Sequence, residues 1–277
     1  MTQTTPPSKS QASTTRPTAL VTGASGGIGE ALAVRLAAQG VNLILVARTE
    51  SKLRALADRL SAEHGVRAEV VALDLSDRHS PQRLQETVAA LGMEVAFLIN
   101  NAGFASYGKF QILPLEHELD MVQVNVATLT ELTHRFLPGM VARGRGRVLN
   151  VASTAAFMPG PLMAVYYASK AYVLSFSEAL NEELRGTGVS VTALCPGPVA
   201  TGFQARAQME DSRLLSSAIH RVTMLSAEEV AKQGLDAMFR GQGTHVAGVG
   251  NQVLALMPRL MPRSLVPGMI RRAQERR

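Results

Sequence analysis

The sequence of 277 residues predicts an α/β fold in which a doubly wound, seven-stranded parallel sheet carries helices on both faces. Seven short runs are apolar throughout, as strands must be when helices cover both sides of a sheet. Amphipathic segments with helical spacing separate these runs, and right-handed crossovers then make the sheet parallel. A glycine-rich turn follows the first run, where such sheets bind their ligands.

Each apolar run is interpreted as one strand, and each amphipathic segment as a helix. The predicted strands are Ala19–Thr22, Asn42–Ala47, Glu69–Leu73, Val95–Asn100, Arg147–Val151, Ser190–Leu194 and Thr244–Val249. The predicted helices are Glu30–Gln39, Ser51–His64, Pro81–Leu91, Leu115–Arg143 and Tyr166–Arg185. The segment Gly202–Leu225 has little periodicity, so we interpret it as a mobile loop or a lid.

Composition is typical of a globular protein, with 46% hydrophobic residues, 18% charged residues and a mean hydropathy of +0.09. No stretch reaches the roughly 18 apolar residues of a transmembrane helix. Residues 1–17 are rich in Thr, Ser, Gln and Pro without an apolar core, which predicts a flexible leader and no secretory signal. The single cysteine, Cys195, is expected in the core, and a chain without disulfides fits a cytoplasmic location.

The basic charge lies at the two ends of the chain. Residues 253–277 hold six arginines and one acid, the leader holds two cations, and the body between them has a net charge of −1. This distribution argues against a nucleic-acid-binding face on the body. The six histidines are scattered, so we expect no metal site.

The glycine-rich turn has the spacing T-G-x-x-x-G-x-G over Thr22–Gly29. Because a predicted strand precedes it and a helix follows, its backbone can approach a pyrophosphate closely at the helix N-terminus. An isolated glycine-rich turn would be a weak signal, but further motifs follow in order. They are Asp74-Leu75, Asn100-Asn101-Ala102-Gly103, Asn125, Ser153, Tyr166-x-x-x-Lys170 and Pro196–Thr201.

Together these motifs resemble the single-domain type of the short-chain dehydrogenase/reductase family. The resemblance covers Thr18 to Val249 and implies a Rossmann-type oxidoreductase domain at 18–250, with 251–277 as a basic amphipathic C-terminal extension. It also implies a nicotinamide dinucleotide, a small carbonyl or alcohol substrate, and a homodimer or homotetramer.

The resemblance implies a set of cofactor-binding residues. They are Gly23, Ser25, Gly27, Ile28, Gly29, Arg48, Asp74, Leu75, Asn101, Ala102, Gly103, Tyr166, Lys170, Pro196, Val199 and Thr201. In the family, Asp74 would lie beside the adenine, Asn101–Gly103 under the adenosine ribose, and Val199 and Thr201 on the nicotinamide carboxamide. From the residues alone, Asp74 could also be a surface carboxylate, Asn101–Gly103 an ordinary turn and Pro196–Thr201 a rigid turn, but their shared context favours the functional interpretation.

The end of the second strand predicts NADP(H) in preference to NAD(H). A carboxylate there would bind the ribose 2′-hydroxyl and repel a 2′-phosphate, but the position holds Ala47. Arg48 follows, and a guanidinium can bind a phosphate with two charge-assisted hydrogen bonds. The alternative is that Arg48 is a solvated surface residue.

Four residues are expected to carry the chemistry. Tyr166 and Lys170 are four apart and so share a helix face, where an ammonium would lower the pKa of the phenol. Tyr166 is therefore predicted to exchange the proton in a hydride transfer. Ser153 follows a strand and can hydrogen-bond the substrate oxygen, whereas Asn125 matches the family's asparagine in a proton relay. Tyr167 does not fit the spacing and is assigned to packing.

The predicted function is reduction of a ketone or aldehyde, or oxidation of an alcohol, with a hydrophobic substrate favoured by apolar residues near the motifs. Those residues could equally be core: Phe104, Tyr107, Phe157, Met158, Met163 and Phe203. The alternative from another class is a non-catalytic cofactor-binding or regulatory protein with the same fold.

The C-terminal extension has two interpretations. Its apolar residues recur at helical spacing in pieces separated by Pro258, Pro262 and Pro267, with arginines between them. Such a segment could attach peripherally to an anionic membrane surface. Alternatively, its apolar face packs on the body or on a neighbouring subunit while the arginines stay solvated.

Overall fold

The computed structural model describes residues 16–199 and 223–275. Its strands form one parallel sheet in the order β3-β2-β1-β4-β5-β6-β7, which confirms the predicted doubly wound fold. The strands are β1 Thr18–Thr22, β2 Asn42–Ala47, β3 Ala68–Ala72, β4 Val95–Asn100, β5 Gly146–Val151, β6 Val189–Cys195 and β7 Thr244–Val246.

The helices of the described residues alternate with the strands. Those before residue 186 overlap the predicted helices, whereas the helix at 227–239 was not among them. The helices are α1 Gly27–Ala38, α2 Glu50–His64, α3 Ser80–Ala90, α4 Leu115–Val122, α5 Leu129–Ala142, α6 Ala164–Glu183, α7 Ala227–Phe239, α8 Val249–Leu256 and α9 Val266–Gln274. The last strand is shorter than predicted because Gly248, with φ +84°, turns the chain into α8.

Two apolar layers cover the sheet, which explains why its strands are apolar throughout. Ala19 and Val21 of β1 point to a layer built with α1, α2 and α7. Leu20, between them, points to the opposite layer, which α3, α5 and α6 complete. Successive side chains of a strand face opposite sides, so both faces of β1 must be apolar.

The long predicted helix at 115–143 is continuous but not regular. Between α4 and α5, residues Gln123–Thr128 form a π-helical stretch, and Asn125 lies inside it, 1% exposed. Such a widened turn re-aims the side chains around it and is frequent at functional sites. The periodicity of the sequence did not reveal this stretch.

The C-terminal extension both packs on the body and presents an exposed face. The predicted boundary after residue 250 falls inside α8, whose Asn251 and Ala255 are buried. In α9, Val266 and Gln274 are also buried. Exposed apolar side chains lie on the other side, and no described helix is long and apolar enough to cross a membrane.

Two further predictions fall largely outside the described residues. Of the predicted leader only Arg16 and Pro17 are described, and the carbonyl of Pro17 accepts a hydrogen bond from Asn42 N at 2.9 Å. The predicted loop Gly202–Leu225 is described only from Thr223 onward.

Candidate active site

A cavity of about 630 Å³ lies along the carboxyl ends of the central strands. Its walls come from the segments that follow β1, β2, β3, β4, β5 and β6. This is the position at which doubly wound sheets bind their ligands. The glycine-rich turn forms one end, and Ser153, Tyr166 and Lys170 line the other part.

The glycine-rich turn is packed too tightly for side chains at two of its positions. Gly23 has φ +67°, and a Cβ there would lie 2.8 Å from Asn101 Nδ2. A Cβ on Gly29 would lie 2.2 Å from the carbonyl oxygen of Gly23. By contrast, a Cβ on Gly26 would meet no atom of the protein within 4 Å. Backbone is thus exposed to the cavity at the N-terminus of α1, an arrangement that fits a pyrophosphate.

Hydrogen bonds from Thr22 and Asn101 hold this turn against the end of β4. The Thr22 hydroxyl accepts from the backbone N–H groups of Asn101 and Ala102, at 3.0 Å each, and donates to the carbonyl of Ile99. Asn101 Nδ2 donates to the carbonyls of Thr22 and Gly23, at 2.9 and 3.2 Å. The side chain of Asn101 therefore supports the turn, and Asn101, Ala102 and Gly103 all line the cavity.

Two cations lie where β2 ends. The predicted Arg48 is exposed and lines the cavity, and Lys52, in the first turn of α2, lines it as well. Sequence reasoning missed Lys52, although its place four residues after Arg48 was a usable signal. With Ala47 in place of an acid, this corner of the cavity suits a phosphate.

The segment after β3 also lies in the cavity wall. Asp74 and Leu75 both line the cavity. Asp74 Oδ1 accepts hydrogen bonds from the N–H and the hydroxyl of Ser76, at 3.0 and 2.9 Å. The carbonyl of Leu75 accepts from Thr128, in the π-helical stretch. These bonds fix the segment beside the glycine-rich turn.

Ser153, Tyr166 and Lys170 come together at the end of β5. Ser153 caps a 3-10 turn at Thr154–Phe157, and its hydroxyl accepts from Ala155 N at 3.1 Å. Tyr166 and Lys170 lie on one face of α6, with Nζ of Lys170 5.8 Å from the Tyr166 ring centroid. Lys170 Nζ donates to the carbonyl of Val151 at 2.8 Å.

The protonation of Tyr166 differs from the sequence-based expectation. Burial raises the pKa of Tyr166 to about 12, and a hydrogen bond with the Ser153 side chain opposes this only in part. Burial also lowers the pKa of Lys170 to about 8, with Cys195 opposing the shift. The expected lowering of the phenol pKa by the ammonium is therefore not found in the protein alone, because burial dominates. Tyr166 is a protonated acid at neutral pH.

Three hydrogen bonds to protein atoms hold the side chain of Asn125. Its Oδ1 accepts from Phe104 N at 3.2 Å, and its Nδ2 donates to Phe104 O at 3.0 Å and to Ser169 Oγ at 3.1 Å. A Cβ on Gly103 would lie 2.9 Å from Asn125 Oδ1 and 3.5 Å from Lys170 Nζ. Asn125 thus fixes the loop after β4 beside the lysine. Both hydrogens of its amide are used within the protein, whereas Oδ1 keeps one lone pair, so its part in a water relay stays a prediction.

The predicted segment after β6 closes another side of the cavity. Pro196 and Val199 line it, and the carbonyl of Pro196 accepts from Thr154 N at 2.9 Å. The carbonyl of Pro198 accepts from Leu225 N at 3.2 Å. Thr201, predicted to hold the nicotinamide carboxamide, lies outside the described residues.

The substrate end differs in part from the residues expected. Phe104 and Met163 line the cavity, but Tyr107, Phe157 and Met158 do not, and Phe203 lies outside the described residues. Tyr167, assigned to packing, does pack on Gly160, where a Cβ would lie 2.3 Å from its ring. Its ring also lines the cavity, a role that the four-residue spacing could not show.

The remaining predicted residues are placed as follows. Ser25, Gly27 and Ile28 line the cavity. Cys195 is buried, and burial raises the pKa of its thiol to about 12, as befits an inert core residue. Among the described residues, no group of three His, Cys, Asp or Glu side chains could hold a metal ion.

A doubly wound sheet with a glycine-rich turn and a cavity at its switch point is typical of the dinucleotide-binding class of proteins. The chain belongs to the short-chain dehydrogenase family, since residues 17–212 match the model described as short chain dehydrogenase.

Three relatives show the extent of the similarity. A very-long-chain 3-oxoacyl-CoA reductase of Anas platyrhynchos is 35% identical over 189 residues, which make up 66% of this chain and 60% of the relative. The 17-beta-hydroxysteroid dehydrogenase type 3 of Rattus norvegicus is 31% identical over 251 residues, 88% of this chain and 76% of that one. A short-chain dehydrogenase from Sphingobium yanoikuyae in complex with NADPH has a TM-score of 0.77 and 32% identity, with 88% of this chain and 93% of that chain covered. The match to the first relative therefore spans less than two thirds of its length.

Proposed function

We propose that the protein is an NADP(H)-dependent oxidoreductase that interconverts a hydrophobic carbonyl compound and its alcohol. The observation that carries the proposal is the meeting of Ser153, Tyr166 and Lys170 in a cavity whose other end is the glycine-rich turn. A bound nicotinamide dinucleotide supplies the hydride for such chemistry. The residues of the chain must then bind the carbonyl oxygen and provide a proton.

In the direction of reduction, Tyr166 donates that proton. Its phenol is protonated at neutral pH, since burial raises its pKa to about 12. Ser153, which is hydrogen-bonded to Tyr166, can donate its hydroxyl hydrogen to the same carbonyl oxygen and stabilise its developing charge. Lys170, with its pKa near 8, is mostly an ammonium at pH 7 and adds positive charge beside the phenol.

The preference for NADP(H) is supported by the corner at the end of β2. Arg48 and Lys52 both line the cavity there, and Ala47 stands where an acid would repel a 2′-phosphate. The solved relative from Sphingobium yanoikuyae holds NADPH. A hydrophobic substrate is supported by Phe104 and Met163 in the wall, and by the steroid and long-chain acyl relatives.

The experiment is NADPH oxidation with a panel of ketones and aldehydes. We expect turnover with NADPH to exceed that with NADH, and Ser153→Ala to lower kcat/KM by about 100-fold to 1,000-fold, as for other oxyanion donors. Ser264→Ala, which changes an exposed serine of the extension, is the matched control. Tight NADPH binding without turnover of any carbonyl would favour the non-catalytic alternative.

We also propose that the exposed face of the extension contacts an anionic membrane surface. Val249, Val253, Leu256 and Leu260 follow at spacings of four, three and four, and all are more than half exposed. The same part of the chain holds Arg259, Arg263, Arg271 and Arg272, and residues 249–274 include no acid. Basic residues near an anionic bilayer contribute about 1 kcal/mol each.

Liposome co-sedimentation tests this contact. We expect the wild type to bind vesicles that contain anionic lipid more than it binds neutral vesicles, and this binding should weaken at high salt. A variant in which Val253, Leu256 and Leu260 are all changed to Ser should lose most of the binding. Substitution is preferable to truncation, because α9 packs on the body. Equal sedimentation of the two proteins would contradict the proposal.

A homodimer or homotetramer is proposed as the assembly. The outward face of α4 is exposed and apolar at Leu115, Leu119 and Val122. Light scattering after size exclusion should give two or four chains, and Leu119→Arg should lower that number. A monomeric wild type would contradict it.

A further inference from the structure

The last described turn of the chain reaches a junction beside the substrate end of the cavity. Gln274, at the end of α9, is 1% exposed and lies 111 positions after Met163, whose sulfur is 3.9 Å from its Nε2. The same Nε2 donates to the hydroxyl of Tyr167. The backbone carbonyl of Gln274 accepts from the hydroxyl of Tyr107.

These contacts join three separate segments. Tyr107 belongs to the loop after β4, which also contains the cavity residue Phe104. Met163 and Tyr167 belong to the start of α6, and both line the cavity. Gln274 lies behind these cavity residues, so it touches the wall and not the cavity itself.

The turn before α6 shows that this wall is held under constraint. Leu162 is the one non-glycine residue with positive φ, at +69°, among the described residues. Its carbonyl accepts from Gly108 N at 2.8 Å, which ties the loop after β4 to the same turn. A backbone conformation of this kind persists only where neighbouring structure enforces it, and such residues cluster at functional sites.

The side-chain amide of Gln274 leaves one of its two polar atoms without a hydrogen bond. Its Oε1 is buried and has no hydrogen-bond partner among the described residues. A buried acceptor left unpaired is unfavourable, so an apolar side chain of similar length would serve a purely structural role at least as well. The arrangement is explained if the donor side of the amide has a task at Tyr167.

We infer that Gln274 is a positioning residue that fixes the substrate-facing wall, and that α9 thereby takes part in substrate selection. The inference rests on the proposed function. Gln274 holds the ring of Tyr167, which stands edge-to-face to the ring of Tyr166 with centroids 6.0 Å apart. Gln274 holds Tyr167 and the loop that contains Tyr107 in one conformation, so that bulky substrates bind against a fixed cavity wall. Without it, Tyr167 and the loop with Tyr107 lose their shared anchor.

The kinetic test compares Gln274→Met with Arg272→Met. Both replace a polar side chain of α9 with methionine, but Arg272 is exposed. For Gln274→Met we expect KM for a bulky ketone such as benzophenone to rise by about fivefold to tenfold, because the variant loses one buried hydrogen bond. KM for a small ketone such as cyclohexanone should change much less, with kcat and the Kd of NADPH nearly unchanged in both variants. Equal KM values in the two variants would overturn the inference.

A double-variant cycle separates this effect from general damage. If Gln274 acts through the hydroxyl of Tyr167, then Tyr167→Phe should raise KM similarly, and the double variant should be no worse than either single one. Additive effects would overturn the inference, with melting temperature as the control for folding.

A spectroscopic readout is independent of turnover. The chain has four tyrosines and no tryptophan, so second-derivative absorbance reports tyrosine exposure directly. We expect greater exposure in Gln274→Met than in Arg272→Met. If the wild type reduced no ketone but this change was seen, the proposed function would fall and the anchoring contact would stand. Unchanged absorbance would overturn the contact itself.

Discussion

The packing of Gly29 against the glycine-rich turn gives a sharp test of how that turn is held. An alanine Cβ at this position would lie 2.2 Å from the carbonyl oxygen of Gly23 and 2.5 Å from Asn101 Nδ2. Ordinary contacts begin at 3.4 Å, and both neighbours are fixed by the hydrogen bonds of Asn101. The turn must therefore shift when Gly29 is replaced.

The magnitude follows from two opposing effects. Forcing one extra methyl into a packed site costs about 1–3 kcal/mol. Alanine within a helix regains up to about 1 kcal/mol relative to glycine, and Gly29 lies in the first turn of α1. We therefore expect the unfolding free energy to fall by between about 0 and 3 kcal/mol. The Kd for NADPH should rise by about tenfold to 100-fold, because the displaced carbonyl and amide groups line its site.

Isothermal titration of NADPH into Gly29→Ala and Gly268→Ala is the assay. Gly268 also lies in the first turn of a helix, α9, away from the cavity, and a Cβ there meets nothing within 4 Å. The Gly268 variant should bind close to wild-type strength. Equal Kd values for the two variants would refute the argument that packing behind the turn shapes the nucleotide site.

Three further predictions concern charged groups. Arg48→Ala should weaken NADPH binding by about tenfold to 100-fold, through loss of a charge-assisted hydrogen bond, and NADH binding much less; equal losses would mean that Arg48 does not contact the 2′-phosphate. Lys52→Ala should act in the same direction but more weakly, since Lys binds phosphate as a point charge; titration with both nucleotides checks this, and no selective loss would exclude it. Lys170 is charged below its pKa of about 8 and neutral above it. Carbonyl reduction should therefore decline as the pH rises through about 8, and a profile that is flat from pH 7 to 10 would contradict this role.

Local signals in the sequence were sufficient for the fold and for the motifs. The strands Asn42–Ala47 and Val95–Asn100 were predicted with their observed bounds, because an apolar run covered on both faces begins and ends abruptly at polar residues or turns. The end of β7 was wrong because Val249, although apolar, follows a glycine with positive φ and starts a helix.

The features of the site that could not be predicted from the sequence depend on the tertiary structure. The raised pKa of Tyr166 comes from its burial, which outweighs the hydrogen bond with Ser153. The π-helical stretch around Asn125 leaves no mark on hydrophobic periodicity. The contact of Gln274 with Tyr167 joins residues 107 positions apart, and no local pattern at either position indicates it.

The most direct test of the central claim is to separate nucleotide binding from turnover at Tyr166. Tyr166→Phe removes the transferable proton and keeps the ring. We expect the Kd for NADPH to stay close to that of the wild type, while kcat for carbonyl reduction falls by about 100-fold to 10,000-fold, the usual contribution of a general acid. Tyr172→Phe, at a tyrosine 38% exposed on the same helix, should leave both values unchanged. Near wild-type turnover in Tyr166→Phe would contradict the assignment of Tyr166 as the proton donor.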